Sequence, residues 1–134
     1  MSSLVLYASG IVVFVHGLIH LMGLVAYWQI AEIQELPYKT TLLDGRWNLG
    51  EAGIRFFGML WPVAAIGFAV AAYGLVTQQD WWRAVMLSTT LLSLVITLLD
   101  WKVAFLGAVF NVVIVAVVFL APGLFVLAAS QGNG

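Results

Sequence analysis

Apolar residues fill four long runs of the chain, separated by short polar interruptions. The runs extend from about Leu4 to Ile30, from Ala52 to about Val76, from Trp81 to about Leu99, and from just after Asp100-Trp101-Lys102 to about Ala129. At a rise of about 1.5 Å per residue, each is long enough to cross a hydrocarbon core of about 30 Å. The pattern predicts an all-α integral membrane protein, a single four-transmembrane-helix bundle with helices at about 4-30, 51-76, 81-99 and 103-129.

The interruptions predict the connections. Glu32, Gln34 and Glu35 precede Pro37, so the first helix is expected to run a turn or two into water before Pro37 and the turn signal Asp44-Gly45 end it. That leaves one longer loop, between helices one and two. Asn48-Leu49-Gly50-Glu51 has capping-box spacing, with Asn48 as N-cap and Glu51 reaching back. Thr77-Gln78-Gln79-Asp80 reads as a tight polar turn, Asp100-Trp101-Lys102 as a shorter one, and Pro122-Gly123 as a kink in the last helix.

Interfacial aromatics give an independent check, because Trp and Tyr collect at membrane surfaces. Tyr27, Trp28, Trp47 and Trp101 fall at one expected surface, Tyr7, Tyr73, Trp81 and Trp82 at the other, and Trp61 alone among the tryptophans lies in mid-helix. Four crossings place both termini on one side. Lys39, Arg46, Arg55 and Lys102 mark the face of the first and third loops, against Arg83 on the other, so the positive-inside bias puts both termini on the non-cytoplasmic side.

Composition narrows the function classes. Of 134 residues 63% are hydrophobic and 8% charged, with a mean hydropathy of +1.07, which excludes a soluble fold. Five Lys and Arg and a net charge of -1 offer no basic surface for nucleic acid. The lack of cysteine removes disulfides, thiolate catalysis, iron–sulfur ligation and covalent haem attachment. The amino terminus has no positively charged n-region and no small-residue cleavage pattern, so the first helix is expected to be retained.

Against this apolar background, His16 and His20 stand out. They are the two histidines of the chain, four residues apart and so on one helix face. Each later helix also has a polar or small stripe: Glu51, Arg55, Gly58 and Pro62; then Thr90, Ser93, Thr97 and Asp100; then Gly107, Asn111 and Pro122. These stripes are expected to turn inward, because a charged group facing lipid costs roughly 2–3 kcal/mol or more. Counting rises places His20 and Asn111 at similar depth, roughly 12–15 Å from the first-loop surface, with Arg55 above them and His16 deepest. Simpler readings stand beside these. The hydroxyls of Ser88, Thr89, Thr90, Ser93 and Thr97 can bond back to their own helix, Glu51 can be a cap, Arg55 can snorkel or pair with Glu51, and Asp100 and Lys102 can be a solvated turn.

Three chemistries fit the pair. His16 and His20 can present two imidazoles to a metal, with Glu51 or Asp100 as a third zinc ligand, but Gly17 stands where a metalloprotease would need its Glu. Rings on one face of one helix cannot flank a single iron, so at most one ligates a haem or chlorophyll-type macrocycle. The third option is proton chemistry on a quinone-type or other lipid-soluble ligand. Few ionisable residues lie in the opposite half, which argues against transport. The sequence therefore points to a small subunit or accessory protein of a larger membrane complex, in contact with lipids and with other subunits or its own copies. Its cofactor-binding residues would be His16, His20, Arg55 and Asn111. The alternative is a stand-alone membrane enzyme doing proton-transfer or metal-assisted chemistry, with His20 as acid or base and Asp100 or Glu51 as its partner.

Overall fold

The computed structural model describes residues 3–120, and it is all-helical apart from a two-residue ladder. The expected end of the last helix near Ala129 and the Pro122-Gly123 kink lie outside the described residues. Helices α1 (Ser3–Ile19) and α2 (Leu21–Tyr27) together form the first span. They are followed by strands β1 (Thr41–Leu42) and β2 (Trp47–Asn48), then α3 (Gly50–Val76), α4 (Trp82–Leu99) and α5 (Trp101–Leu120). Among the described residues, four spans are long and apolar enough to cross a membrane.

The first span is tightened at His20, where a continuous helix was expected. The His20 N–H bonds Gly17 O at 3.0 Å and the Gly23 N–H bonds His20 O at 3.1 Å, three-residue steps in place of four. The His16 carbonyl, freed from its usual partner, accepts instead from His20 Nδ1 at 2.8 Å. The span then stops at Tyr27, short of the expected extension into water. Gln29 takes a left-handed φ of 52°, and the Ile30 N–H turns back to Val25 O at 2.9 Å, closing the helix end.

Adjacent helices pack antiparallel through small residues: α1 and α2 on α3, α3 on α4, α4 on α5. A Cβ on Gly17 would lie 2.8 Å from Phe68 Cβ, and a Cβ on Gly23 would fall within the Trp61 indole. These glycines therefore serve close helix contact. No comparable packing joins α5 back to α1 among the described residues, so the bundle is open along that seam.

The long loop is tied down at the α4–α5 turn. Thr41 pairs with Asn48 and Leu42 with Trp47 around the Asp44-Gly45 turn, while Leu42 is buried and the Leu43 N–H bonds Leu99 O at 2.9 Å. The capping box does not form: Asn48 Oδ1 accepts from the Gly50 N–H at 2.9 Å, and no side chain caps α3. Gly50 has a φ of +71°, so the chain turns there and the helix begins after the expected N-cap. Lys102 meets Asp44 at 2.8 Å on the surface, a hydrogen bond that holds the Asp44 carboxyl below its usual range.

Candidate functional site

A closed circuit of hydrogen bonds lies inside the bundle. His16 Nε2 and Asn111 Oδ1 are 3.0 Å apart, Asn111 Nδ2 and Ser93 Oγ 2.7 Å, Ser93 Oγ and His20 Nε2 2.6 Å, and His20 Nδ1 returns to the His16 carbonyl at 2.8 Å. All four residues are buried. Thr97 adds a longer contact to Asn111 Nδ2 at 3.4 Å.

With neutral imidazoles, one carbonyl sets every proton in this ring. The His16 carbonyl can only accept, so His20 Nδ1 carries the hydrogen and Nε2 is bare. Ser93 then donates to His20 Nε2, Asn111 donates to Ser93, and His16 Nε2–H donates to Asn111 Oδ1. Both nitrogens of His20 are engaged. His16 Nδ1 is left as a lone pair with no hydrogen-bond partner among the described residues. A second unspent group stands nearby. Trp61 Nε1 is buried with no partner among the described residues, and its ring is 5.6 Å from that of His20.

The histidines form part of the wall of a crevice of about 740 Å³ along the open seam between the first span and α5. Ile11, Val12, Val15, Gly107 and Phe110 make its apolar sides, Trp61 and Thr97 lie with the histidines, and Glu35 and Lys102 stand toward the loop. His16 and Phe110, with ring centroids 4.5 Å apart, cross the seam. Beyond them a second apolar groove continues between Val12 and Val117.

The other expected site residues are placed elsewhere. Asp100, read as part of a solvated turn, is 3% exposed. It accepts from the Tyr27 hydroxyl and pairs with Lys39 Nζ at 2.5 Å, and Lys39 also reaches Tyr27 Oη at 2.9 Å. Tyr27 is accordingly buried, its ring edge-on to Phe57. Glu51 is exposed on the first turn of α3. Arg55 is exposed too: its carbonyl accepts from Trp28 Nε1 at 2.9 Å and its guanidinium lies 5.7 Å from the Trp28 ring. None of the three hydrogen-bonds the histidines. Asn111 does reach the pair, though through His16 and not through His20. Depth counting missed this because the first span ends at Tyr27, short of Ile30, and α5 begins at Trp101, which sets His16 level with Asn111.

Ser93 is the member that sequence reasoning passed over. Ser88, Thr90 and Thr97 do bond back to carbonyls of their own helix, at 2.7, 2.6 and 2.8 Å, whereas Ser93 bonds His20 and Asn111. Its signal was the spacing Thr90, Ser93, Thr97, Asp100 on one face.

The arrangement can orient imidazoles rigidly and can offer the His16 Nδ1 lone pair as an acceptor. It does not assemble a polydentate metal centre, since no three His, Cys, Asp or Glu side chains gather among the described residues. The chain matches no family model, no curated protein and no solved structure, so its function is argued from this geometry alone.

Proposed function

We propose that this chain is a small membrane-embedded binding protein that takes a lipid-soluble ligand from the hydrocarbon phase into the crevice between α1 and α5. The observation that carries the reading is the open seam itself: apolar walls around about 740 Å³, with His16, His20 and Trp61 in the lining. A water-soluble ligand would gain little from walls of Val, Ile and Phe, whereas a ring lipid gains burial at both ring and tail. The hydrogen-bonded circuit prepays the ordering of the site, because Ser93 and Asn111 hold both imidazoles before a ligand arrives.

The chain serves as a subunit or accessory protein of a larger membrane assembly, with both termini on the non-cytoplasmic side, a reading supported by exposed apolar side chains such as Phe56, Ile66 and Leu106 that can pack against other helices. The enzyme reading draws less support, since both nitrogens of His20 are engaged and neither Asp100 nor Glu51 bonds to it.

The test is purification from native membranes into nanodiscs, followed by extraction and mass spectrometry of retained lipophilic molecules. A stoichiometric species is expected with the native chain, and at least fivefold less with Ala104→Phe, a substitution at an α5 residue that lines the crevice. Equal retention by a folded Ala104→Phe protein overturns the binding reading. A monodisperse monomer in mild detergent that binds the ligand without any partner overturns the assembly role.

A further inference from the structure

One lone pair in the crevice wall makes a chemical demand on whatever enters. The proton positions of the circuit leave His16 Nδ1 bare, without a hydrogen-bond partner among the described residues. Among the buried and half-buried described residues, Trp61 Nε1 is the one fully enclosed side-chain nitrogen or oxygen that lacks a partner. His16 Nδ1 lacks one too, so it is not enclosed and keeps accessible surface. The residue is 7% exposed and lines the crevice between α1 and α5. Asn111 takes its Nε2 edge, and Phe68, Phe110 and His20 flank its ring with centroids 4.9, 4.5 and 4.8 Å away. The edge that remains carries Nδ1.

The circuit also fixes the polarity of that edge. Turning the Asn111 amide over would present an N–H to His16 Nε2 and let Nδ1 carry the proton. It would also leave Asn111 Oδ1 and His20 Nε2 both in need of the single Ser93 hydrogen, one acceptor too many. The Nδ1 lone pair is therefore an obligate acceptor, and a bound molecule gains from it only by donating a hydrogen. Ethers, esters, ketones and hydrocarbons have none to give. Depth removes the charged donors: His16 lies near the middle of the first span, Ser3–Tyr27, where a charged head group is heavily penalised and stays at the membrane surface. An ionised fatty acid fails on both counts. A hydroxyl combines neutrality with a single hydrogen to donate.

We infer that the crevice selects a neutral lipid alcohol, its hydroxyl donating to His16 Nδ1 and its hydrocarbon body lying between α1 and α5. The inference rests on the crevice reading above and adds the head group that the crevice prefers.

The experiment uses the full chain in nanodiscs, with geranylgeraniol, its methyl ether and the matching hydrocarbon as probes. Exchange of each probe between empty and protein-loaded nanodiscs measures affinity with partition into lipid cancelled. The alcohol is expected to bind about tenfold tighter than the ether or the hydrocarbon, the worth of one hydrogen bond in a dry site. With ¹⁵N at the two histidines, the alcohol is expected to shift the one unprotonated Nδ1 resonance, that of His16, and to leave the His20 pair unchanged. His16→Phe is expected to bind alcohol and ether alike. If that variant does not fold, the native chain's affinity ratio and nitrogen shift still decide the matter. Equal affinity of the native chain for alcohol and ether, a shift at His20 in place of His16, or failure of all three probes to bind the folded chain overturns the hydroxyl assignment and leaves the crevice reading standing. Loss of the retention difference between the native chain and Ala104→Phe overturns both.

Discussion

The Tyr27 hydroxyl donates to Asp100 across a sequence separation of 73, the same separation that sets His20 against Ser93. The coincidence has a geometric cause. The first span and α4 each pack antiparallel to α3, so they run in one direction, and equal steps along both preserve a register once a single rung fixes it. The interfacial cluster of Tyr27, Asp100 and Lys39 is therefore the anchor from which the deeper histidine circuit is aligned.

Breaking that anchor is expected to be asymmetric. Lys39→Met leaves the buried Asp100 carboxylate without its cation, at a cost of about 2–4 kcal/mol, somewhat below the range for fully buried pairs because Lys39 is 30% exposed. Asp100→Asn keeps an acceptor for Tyr27 and frees Lys39 to turn to water, at about 1–2 kcal/mol. The double variant is expected to resemble Asp100→Asn. Asp44→Asn, which breaks the exposed pair with Lys102, should produce no resolvable change. Reversible unfolding in mixed micelles measures all four, and equal losses for Lys39→Met and Asp44→Asn would remove the anchor role.

The circuit of His16, Asn111, Ser93 and His20 is expected to behave as one unit. Asn111→Leu removes the partner of His16 Nε2–H and the donor to Ser93, costing about 1–3 kcal/mol, while Ser93→Ala costs about 1–2 kcal/mol. Since each cut opens the same ring, the double variant should cost clearly less than the sum. Additive losses in a double-mutant cycle would mean four separate bonds and no ring.

Close packing of α1 on α3 gives a third expectation. A methyl at position 17 meets Phe68 Cβ at 2.8 Å and the Ala65 carbonyl oxygen at 3.1 Å. Backbone cannot yield as a side-chain tip can, so Gly17→Ala should destabilise by about 1–3 kcal/mol despite the better helix propensity of alanine. Thermal unfolding in micelles checks the sign, and a gain in stability would show that α1 can ride up on α3 without penalty.

Hydropathy made the four membrane spans legible, because a run of apolar residues is both the cause of insertion and its signature. The inward placement of His16, His20 and Asn111 was legible for a similar reason, as polar groups avoid lipid. The partners were not. Asp100 beside Trp101 and Lys102 looks like a solvated turn, and what buries it is Lys39, which the ladder of Thr41–Leu42 with Trp47–Asn48 brings over from a distant loop. Ser93 looks like Thr90 and Thr97, which do bond to their own helix, and its separate use depends on the tightened turn at His20. Arg55 and Glu51 lie near enough in sequence to the polar stripe to seem part of it, yet helix rotation turns both outward.

The open seam itself can be read by accessibility, because the chain has no native cysteine to confuse labelling. A nitroxide on Cys at Val15, in the crevice wall, is expected to show high collision with oxygen and little with a charged nickel chelate, the signature of hydrocarbon. Val15 is 47% exposed, whereas Ile96, facing α3 in the core, is 0% exposed, so a label there should be shielded from both reagents or should disrupt the fold. Adding the ligand that co-purifies with the chain should lower the oxygen collision rate at Val15 severalfold while leaving a label at the lipid-facing Leu106 rim less affected. High nickel accessibility at Val15 would mean that the crevice fills with water, and the hydrocarbon route for the ligand would have to be abandoned.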